Sequence, residues 1–392
     1  MKEAVIVGVA RTPIGKYRGA LASLEVPDLG AIVLKAVQEQ AGIKPEIIDE
    51  VVMGNLFGSD WGNPARVAVL RAGFPFSVPG ITVDRQCSST LNALALAASL
   101  IQSGNCDVII AGGIESYSQQ PFYVKRSESA YPASLQVLEY KSSHPSVGNP
   151  SMIEIAESMA KKWNISRQAC DEFAVKSHKN ASAAWAAGNF NDHVIPVTIP
   201  QKKGDPIKVT MDECVRTDTT LEALSKLRPV LGGNGLVTAG NASPMNDGSS
   251  AALVMSREKA KELNLKILAV VKEFASAGCD PNFMGIGPVY STRKLMERTG
   301  YTLKDFDYIE CNEAFAVQTL SVIKELGLDP ERVNVEGGAI AIGHPNGASG
   351  GILIGRMIGI LKRRNAHRGL ITFCCGGGQG LSLLLERDET CE

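Results

Sequence analysis

Short β-branched runs alternate with helical runs along the 392 residues, which predicts an α/β protein of layered parallel or mixed sheets. Two more observations sharpen that class. The order loop residue, apolar helix, turn, buried strand, glycines occurs around Cys87 and again around His344, a weak internal repeat. Between them, from 118 to 245, strand signals thin out, so the middle reads as an insertion that carries function or contacts a partner chain.

The elements follow in order. "AVIVGV" (4–9) is too short for a signal-peptide core and reads as the first strand. In 26–42, Leu29, Val33, Ala36 and Val37 repeat at helical spacing. "DEVVMGN" (49–55) is a strand. Residues 88–103 form an apolar helix, with Leu91, Leu94, Ala98 and Ile101 on one face and Leu96 and Leu100 beside it. "DVIIAGG" (107–113) is the next strand. The polar, proline-dotted stretch 127–152 is a long excursion. Two helices then meet at "WNISRQ", where Ser166 suits an N-cap. Strands return at 251–256, 267–275 and 308–314. An apolar helix (347–364) and the strand "GLITFCC" (369–375) close the chain.

Composition limits the functions. At 44% hydrophobic and 21% charged the chain should pack a soluble core. A net charge of −1 argues against broad attraction to nucleic acid or an anionic membrane. No apolar run reaches the roughly 18 residues of a membrane span. Nine cysteines lack a framework spacing and no CxxC pair is present to hold zinc, so free thiols in a reducing compartment are expected. The tail "RDETCE" matches no peroxisomal, endoplasmic-reticulum or prenylation signal, and a cytoplasmic location is expected.

Four segments can carry chemistry. Cys87 stands at a helix start, where unpaired N–H groups favour a thiolate and can receive an oxyanion. His344 sits in "GGAIAIGHPNGASGG" (337–351), which has neither the lysine of a P-loop nor GxGxxG spacing; backbone that tight lets something approach closely. "CCGGGQG" (374–380) can form an anion-binding nest. "CNEAFA" (311–316) offers Asn312 as a neutral donor and Glu313 as an acid. Each alone reads equally as core, cap or turn, and a Cys with a His also suits a cysteine protease. Two cysteines with one histidine suit something else. One thiol carries an acyl group while the other moves a proton, and a carbon–carbon bond is made or broken through a thioester.

Together, "ARTPIGKYRGAL" (10–21), "CSSTLNALALAASLIQSG" (87–104), "NEAFA" (312–316), "GGAIAIGHPNGASG" (337–350) and "CCGGGQG" resemble the signature blocks of the thiolase family over essentially the whole chain. The resemblance implies duplicated βαβαβ halves in a layered αβαβα arrangement with an inserted loop domain. Residues 1–117 with 246–266 would be the nucleophile half, 118–245 the insert, and 267–392 the other half. It implies condensation of two acetyl-CoA to acetoacetyl-CoA plus CoA, and the reverse thiolysis, by a ping-pong mechanism. Cys87 would be acylated, His344 would take its proton, and Cys374 rather than Cys375 would act as acid and base at the substrate α-carbon. Asn312 would hold a water that makes one oxyanion hole with His344, and the N–H groups of Cys87 and Gly376 would make the other. Coenzyme A would be the substrate carrier, with no tightly bound cofactor and no metal. Ala242, Ser243, Met284, Ala314 and Phe315 would line its pocket, with Met152 on the channel wall and Arg216 near the nucleotide end. A homodimer or homotetramer is implied. One departure stands out: where the family commonly has His-Met-Gly, this chain reads "SMIEIAE" (151–157), with Ser151 in place of the histidine. That leaves acyl length open, with a 3-ketoacyl-CoA thiolase for longer chains as the nearest alternative. A decarboxylating ketoacyl-synthase-like enzyme and a non-catalytic acyl-CoA or lipid-binding module are more distant ones.

Overall fold

The computed structural model describes residues 2–125, 136–201 and 203–388. The expectations for the excursion up to residue 135 and for the tail from residue 389 lie outside the described residues. The strands are β1 (Ala4–Arg11), β2 (Gly15–Lys16), β3 (Glu50–Gly54), β4 (Gly80–Val83), β5 (Val108–Ser116), β6 (Val197–Ile199), β7 (Ile207–Val209), β8 (Asn246–Ser256), β9 (Ala269–Gly278), β10 (Tyr308–Cys311), β11 (Arg368–Cys375) and β12 (Gln379–Glu386). The helices are α1 (Val26–Ala41), α2 (Pro64–Arg71), α3 (Ser89–Gln102), α4 (Met152–Trp163), α5 (Arg167–Ala186), α6 (Leu221–Ser225), α7 (Arg257–Glu262), α8 (Gly287–Thr299), α9 (Ala316–Leu326), α10 (Ala339–Ile342) and α11 (Ser349–Arg363).

The main sheet runs β4-β3-β5-β8-β1 and continues β9-β12-β11-β10. Among the described residues, its two halves are joined through the pairing of β1 with β9, at Val5 with Val270 and Ile6 with Ala269. Each half repeats one pattern of strand senses. In the first, β3 is parallel to β5, and β8 lies antiparallel between β5 and β1. In the second, β10 is parallel to β11, and β12 lies antiparallel between β11 and β9. Even the edge strand β4, parallel to β3, has a counterpart in the parallel bridge of Ile309 with Val333. The internal repeat read from the sequence is thus expressed in the topology.

Helices α3 and α11 pack side by side between the half-sheets, each touching strands of both. Helices α1 and α2 cover the outer face of the first half-sheet and α8 that of the second, which gives α-β-α-β-α layering. Strands covered on both faces need no polar alternation. In β5, for example, Ile109 enters the central cluster with Leu91, Leu94 and Phe373, whereas Ile110 enters the outer cluster with Leu29 and Val33. The two central helices approach closely because α11 carries glycine at the contact. A Cβ on Gly350 would lie 2.4 Å from the Leu91 backbone nitrogen.

The insert holds α4, α5, α6 and the small β6–β7 ribbon. Ser166 caps α5 as expected, accepting from the Ala169 N–H. Ser151 caps α4 in a reciprocal capping box with Glu154, which gives the departure in "SMIEIAE" a local cause. Helices α4 and α5 pack on α9, so the insert is anchored to the second half.

Candidate active site

The loops entering α3, following β10, following α10 and following β11 bring the candidate residues to one place. Gln86, immediately before Cys87, has φ +52°, uncommon for a non-glycine residue. It is held there by its N–H donating to Asp84 Oδ1 at 2.6 Å and by the Tyr140 hydroxyl donating to Gln86 Oε1 at 2.7 Å. The Thr90 hydroxyl, in the first turn of α3, donates to the Gly347 carbonyl and so ties the nucleophile helix to the His344 loop. Cys87 and Gly376 open onto a cavity of about 440 Å³ that Leu56, Phe57, Tyr117, Tyr140 and Met152 also line.

The helix start does not act alone on the Cys87 thiol, because burial works against a thiolate there. Ser88 is the N-cap of α3 but makes no capping bond; its hydroxyl donates to the Arg85 carbonyl and meets Cys375 Sγ at 3.0 Å. Cys87 therefore stands one residue before the N-cap, outside the helix itself. Burial pushes its thiol up to about 12, helped by Cys375 and Glu115. The N–H groups of Cys87 and Gly376 pull the other way and lose. Those same two N–H groups are the ones expected to receive an oxyanion. Burial also holds the Cys374 thiol well above its ordinary value, with Cys87 the first of its charged neighbours.

His344 is fixed on every side. Its N–H donates to Asn246 Oδ1 at 2.8 Å, and Nδ1 lies 2.6 Å from Ser349 Oγ. The Ser349 hydroxyl donates onward to the Pro345 carbonyl at 2.9 Å. Ser349 Oγ must then accept from Nδ1–H, so this nitrogen carries the proton. Nε2, 3.4 Å from the Asn312 amide nitrogen, keeps its lone pair. Burial alone holds the imidazole down at about 4, so it is neutral at pH 7. The φ of +110° at Gly343 turns the chain into this residue and is a conformation that favours glycine.

Asn312 and Glu313 part company. Asn312 faces His344, and its Oδ1 is buried with no hydrogen-bond partner. Glu313 turns away, accepting from the Ser177 hydroxyl, the Asn334 amide and the Ile340 N–H. It fixes α10, the approach to His344, and is no acid of the site. Of the glycines after Cys375, Gly377 and Gly378 have φ of +77° and +83°, a conformation that favours glycine.

The expected pocket residues divide. The Ser243 N–H and hydroxyl both donate to the Ala314 carbonyl, at 3.1 and 3.0 Å. Ala242 bridges Phe315, and Met245 bridges His344. This loop is therefore stitched between the Asn312 and His344 loops. Met152 lines the Cys87 cavity with its neighbours Ser151 and Glu154. Met284 is buried in a separate cluster of the second half, which also holds Cys374, Val289 and Val317. Arg216 is exposed, donates its N–H to His178 Nδ1 at 3.3 Å, and does not line that cavity.

Sequence reasoning missed Glu115, Tyr117, Tyr140, Asn246 and Ser349. Glu115 carried a signal, since a carboxylate inside the otherwise apolar run of β5 needs a reason to be there. Tyr117 accepts from Asn346 at 3.1 Å and packs against Phe57 with the rings tilted by 59°.

The models of the thiolase N-terminal and C-terminal domains match residues 4–258 and 265–387. An acetyl-CoA acetyltransferase of Cupriavidus necator is 45% identical over 99% of this chain and all of its own length. That of Chromobacterium violaceum is 43% identical over 98% of this chain and all of its own. Among solved structures, Bacillus anthracis acetyl-CoA acetyltransferase matches with TM-score 0.93 at 39% identity over 99% of both chains. Human mitochondrial 3-ketoacyl-CoA thiolase matches with TM-score 0.93 at 36% identity over the same shares. With both of its halves matched and relatives of this identity aligned end to end, the chain belongs to the thiolase family.

Proposed function

We propose that the chain is an acyl-CoA C-acyltransferase that condenses two acetyl-CoA to acetoacetyl-CoA and CoA, and cleaves acetoacetyl-CoA with CoA in reverse. One observation carries the reading. A half-buried thiol, Cys87, stands beside a second, buried thiol, Cys374, and the loop of a neutral imidazole, His344, whose unprotonated Nε2 meets the Asn312 amide, is tied to the helix behind Cys87 by the Thr90 bond to Gly347.

In thiolysis, His344 Nε2 takes the Cys87 proton as Sγ attacks the 3-keto carbon. The N–H groups of Cys87 and Gly376 receive the oxyanion; one such donor is worth on the order of 3 kcal/mol. The carbon–carbon bond then breaks, and Cys374, held as a thiol by burial, protonates the leaving enolate carbon. The enolate oxygen is met by the His344 Nε2–H and by a water on Asn312, whose buried Oδ1 has acceptor capacity to spare. The Cys374 thiolate next takes the proton of incoming CoA, whose sulfur attacks acetyl-Cys87; acetyl-CoA leaves, and the released Cys87 sulfur takes back its proton from His344 Nε2. Condensation runs the same steps backwards.

Coenzyme A is the substrate carrier. In this reading Ser243, Ala242, Ala314 and Phe315 wall the pantetheine arm, Met152 and Met284 border the acyl end, and Arg216 takes the nucleotide end. The halves 1–117 with 246–266 and 267–392 each supply part of the site, the insert 118–245 supplies the CoA loop, and the assembly is a homodimer or homotetramer.

The size of the cavity, about 440 Å³ with aromatic walls, favours a second reading as a 3-ketoacyl-CoA thiolase for longer chains. A thiolysis panel separates the two. Higher kcat/KM for acetoacetyl-CoA than for 3-ketooctanoyl-CoA supports the first; the opposite order supports the second.

A further inference from the structure

Glu115 ends the buried run of β5, and the chemistry above does not use it. It is fully buried. Its carboxylate accepts from four N–H groups: Asn55 Nδ2 and the Phe57 N–H on Oε1 at 3.1 and 3.3 Å, and the Leu56 and Gly347 N–H groups on Oε2 at 3.1 and 2.8 Å. These donors belong to both halves of the molecule. Leu56 and Phe57 follow β3 and line the Cys87 cavity, whereas Gly347 lies three residues beyond His344 in the other half. The approach at Gly347 leaves no room for a side chain, because a Cβ there would lie 2.7 Å from the Ile114 carbonyl and 3.0 Å from Glu115 Oε2.

We propose that Glu115 is a positioning residue for the thiolase reaction: by accepting N–H groups from both halves, its carboxylate holds the His344 loop in register with Cys87. Only the ionised form has acceptors for all four donors; a proton would set an O–H against an N–H. Burial pushes this carboxyl up to about 7 against the pull of the Gly347, Phe57 and Leu56 N–H groups. Asp84 opposes its ionisation too. The groups acting on Cys87 are Glu115, Cys374, Cys375, Tyr117 and Tyr140, with Arg85 acting on Cys375. The Glu115 charge raises the Cys87 thiol, so it also restricts loss of the Cys87 proton to transfer onto His344.

The proposal rests on the thiolase reading, and the test keeps the two apart. In Glu115→Gln, kcat for acetoacetyl-CoA thiolysis should fall about 100-fold, the scale of a small misplacement in a reacting pair. KM should stay within about threefold, because the CoA pocket does not touch Glu115. The wild-type fall in kcat as pH drops through 7 should vanish in this variant, and the pH midpoint for alkylation of Cys87 by iodoacetamide should move down. Glu115→Asp keeps the charge but is a methylene short, so its alkylation midpoint should stay while kcat falls. Wild-type kcat in Glu115→Gln, or a lowered kcat with the acid limb and alkylation midpoint both unmoved, overturns the proposal. If Glu115→Gln does not fold, Asn55→Ala decides: about a tenfold loss of kcat at unchanged KM supports the proposal and wild-type kcat overturns it. A wild-type protein without thiolysis defeats the functional reading, whereas the alkylation profiles, which need no acyl-CoA, still decide whether Glu115 governs Cys87.

Discussion

Desolvation sets the protonation states at Cys87 and His344, and the two choices match. A thiol pushed up to about 12 beside an imidazole held at about 4 is a neutral pair at pH 7, so the proton moves only when an acyl group accepts the sulfur. The sign of the resulting pH dependence is definite. His344 binds its proton less readily folded than unfolded, so its contribution to stability is present above pH 6.5 and is lost as pH falls towards 4. The loss is on the order of 3 kcal/mol. His344→Asn should therefore show a smaller drop in Tm between pH 6.5 and 4 than the wild type, measured by calorimetry. Cys374→Ala should lower kcat by about 1,000-fold while acyl transfer to Cys87 from acetyl-CoA persists, read by rapid-quench kinetics. Cys87, His344, Cys374 and Asn312 were legible in the sequence because each stands at one end of an apolar run, beside residues rich in glycine or small polar side chains. Their protonation states were not, because burial is decided by chain segments hundreds of residues away. Glu115 and Tyr117 escaped notice for the same reason: a polar residue at a strand end reads as solvated until the opposite half covers it.

Among the elements, α3 is the mount of the nucleophile, and its rigidity comes from packing. Leu91, Leu94, Ala98 and Ile101 are buried between the half-sheets as their spacing predicts. Leu94→Ala should cost about 2–5 kcal/mol, seen as a lowered denaturant midpoint with unchanged slope. Gly350→Ala would drive a methyl into the Leu91 and Thr90 backbone at 2.4 and 3.0 Å. Backbone cannot swing aside as a side chain does, so α3 should shift, with about 1–3 kcal/mol lost and kcat falling with it. At α4, Ser151→Ala removes the cap and should cost about 1 kcal/mol, measured by thermal unfolding. The S-x-x-E pattern behind that cap was present in "SMIEIAE", but comparison with the family's histidine drew attention to the channel rather than to the helix end.

At the scale of the whole molecule, duplication explains why the site has two kinds of loop. One half delivers Cys87 ahead of α3 and the other delivers His344 ahead of α11, and these helices touch in the central layer. The repeat of helix, turn, strand and glycines made the two halves legible, as did the scarcity of strand signals from 118 to 245. The seam of β1 with β9 was not legible, because two residue pairs leave no periodic trace. The central claim is that Cys87 carries the acyl group between two substrates. Mass spectrometry of the protein quenched in acid after exposure to acetyl-CoA tests it most directly. One acetyl group on the peptide containing Cys87, absent in Cys87→Ala and removed by added CoA, is the predicted result; acetylation confined to another residue, or thiolysis retained in Cys87→Ala, would contradict it.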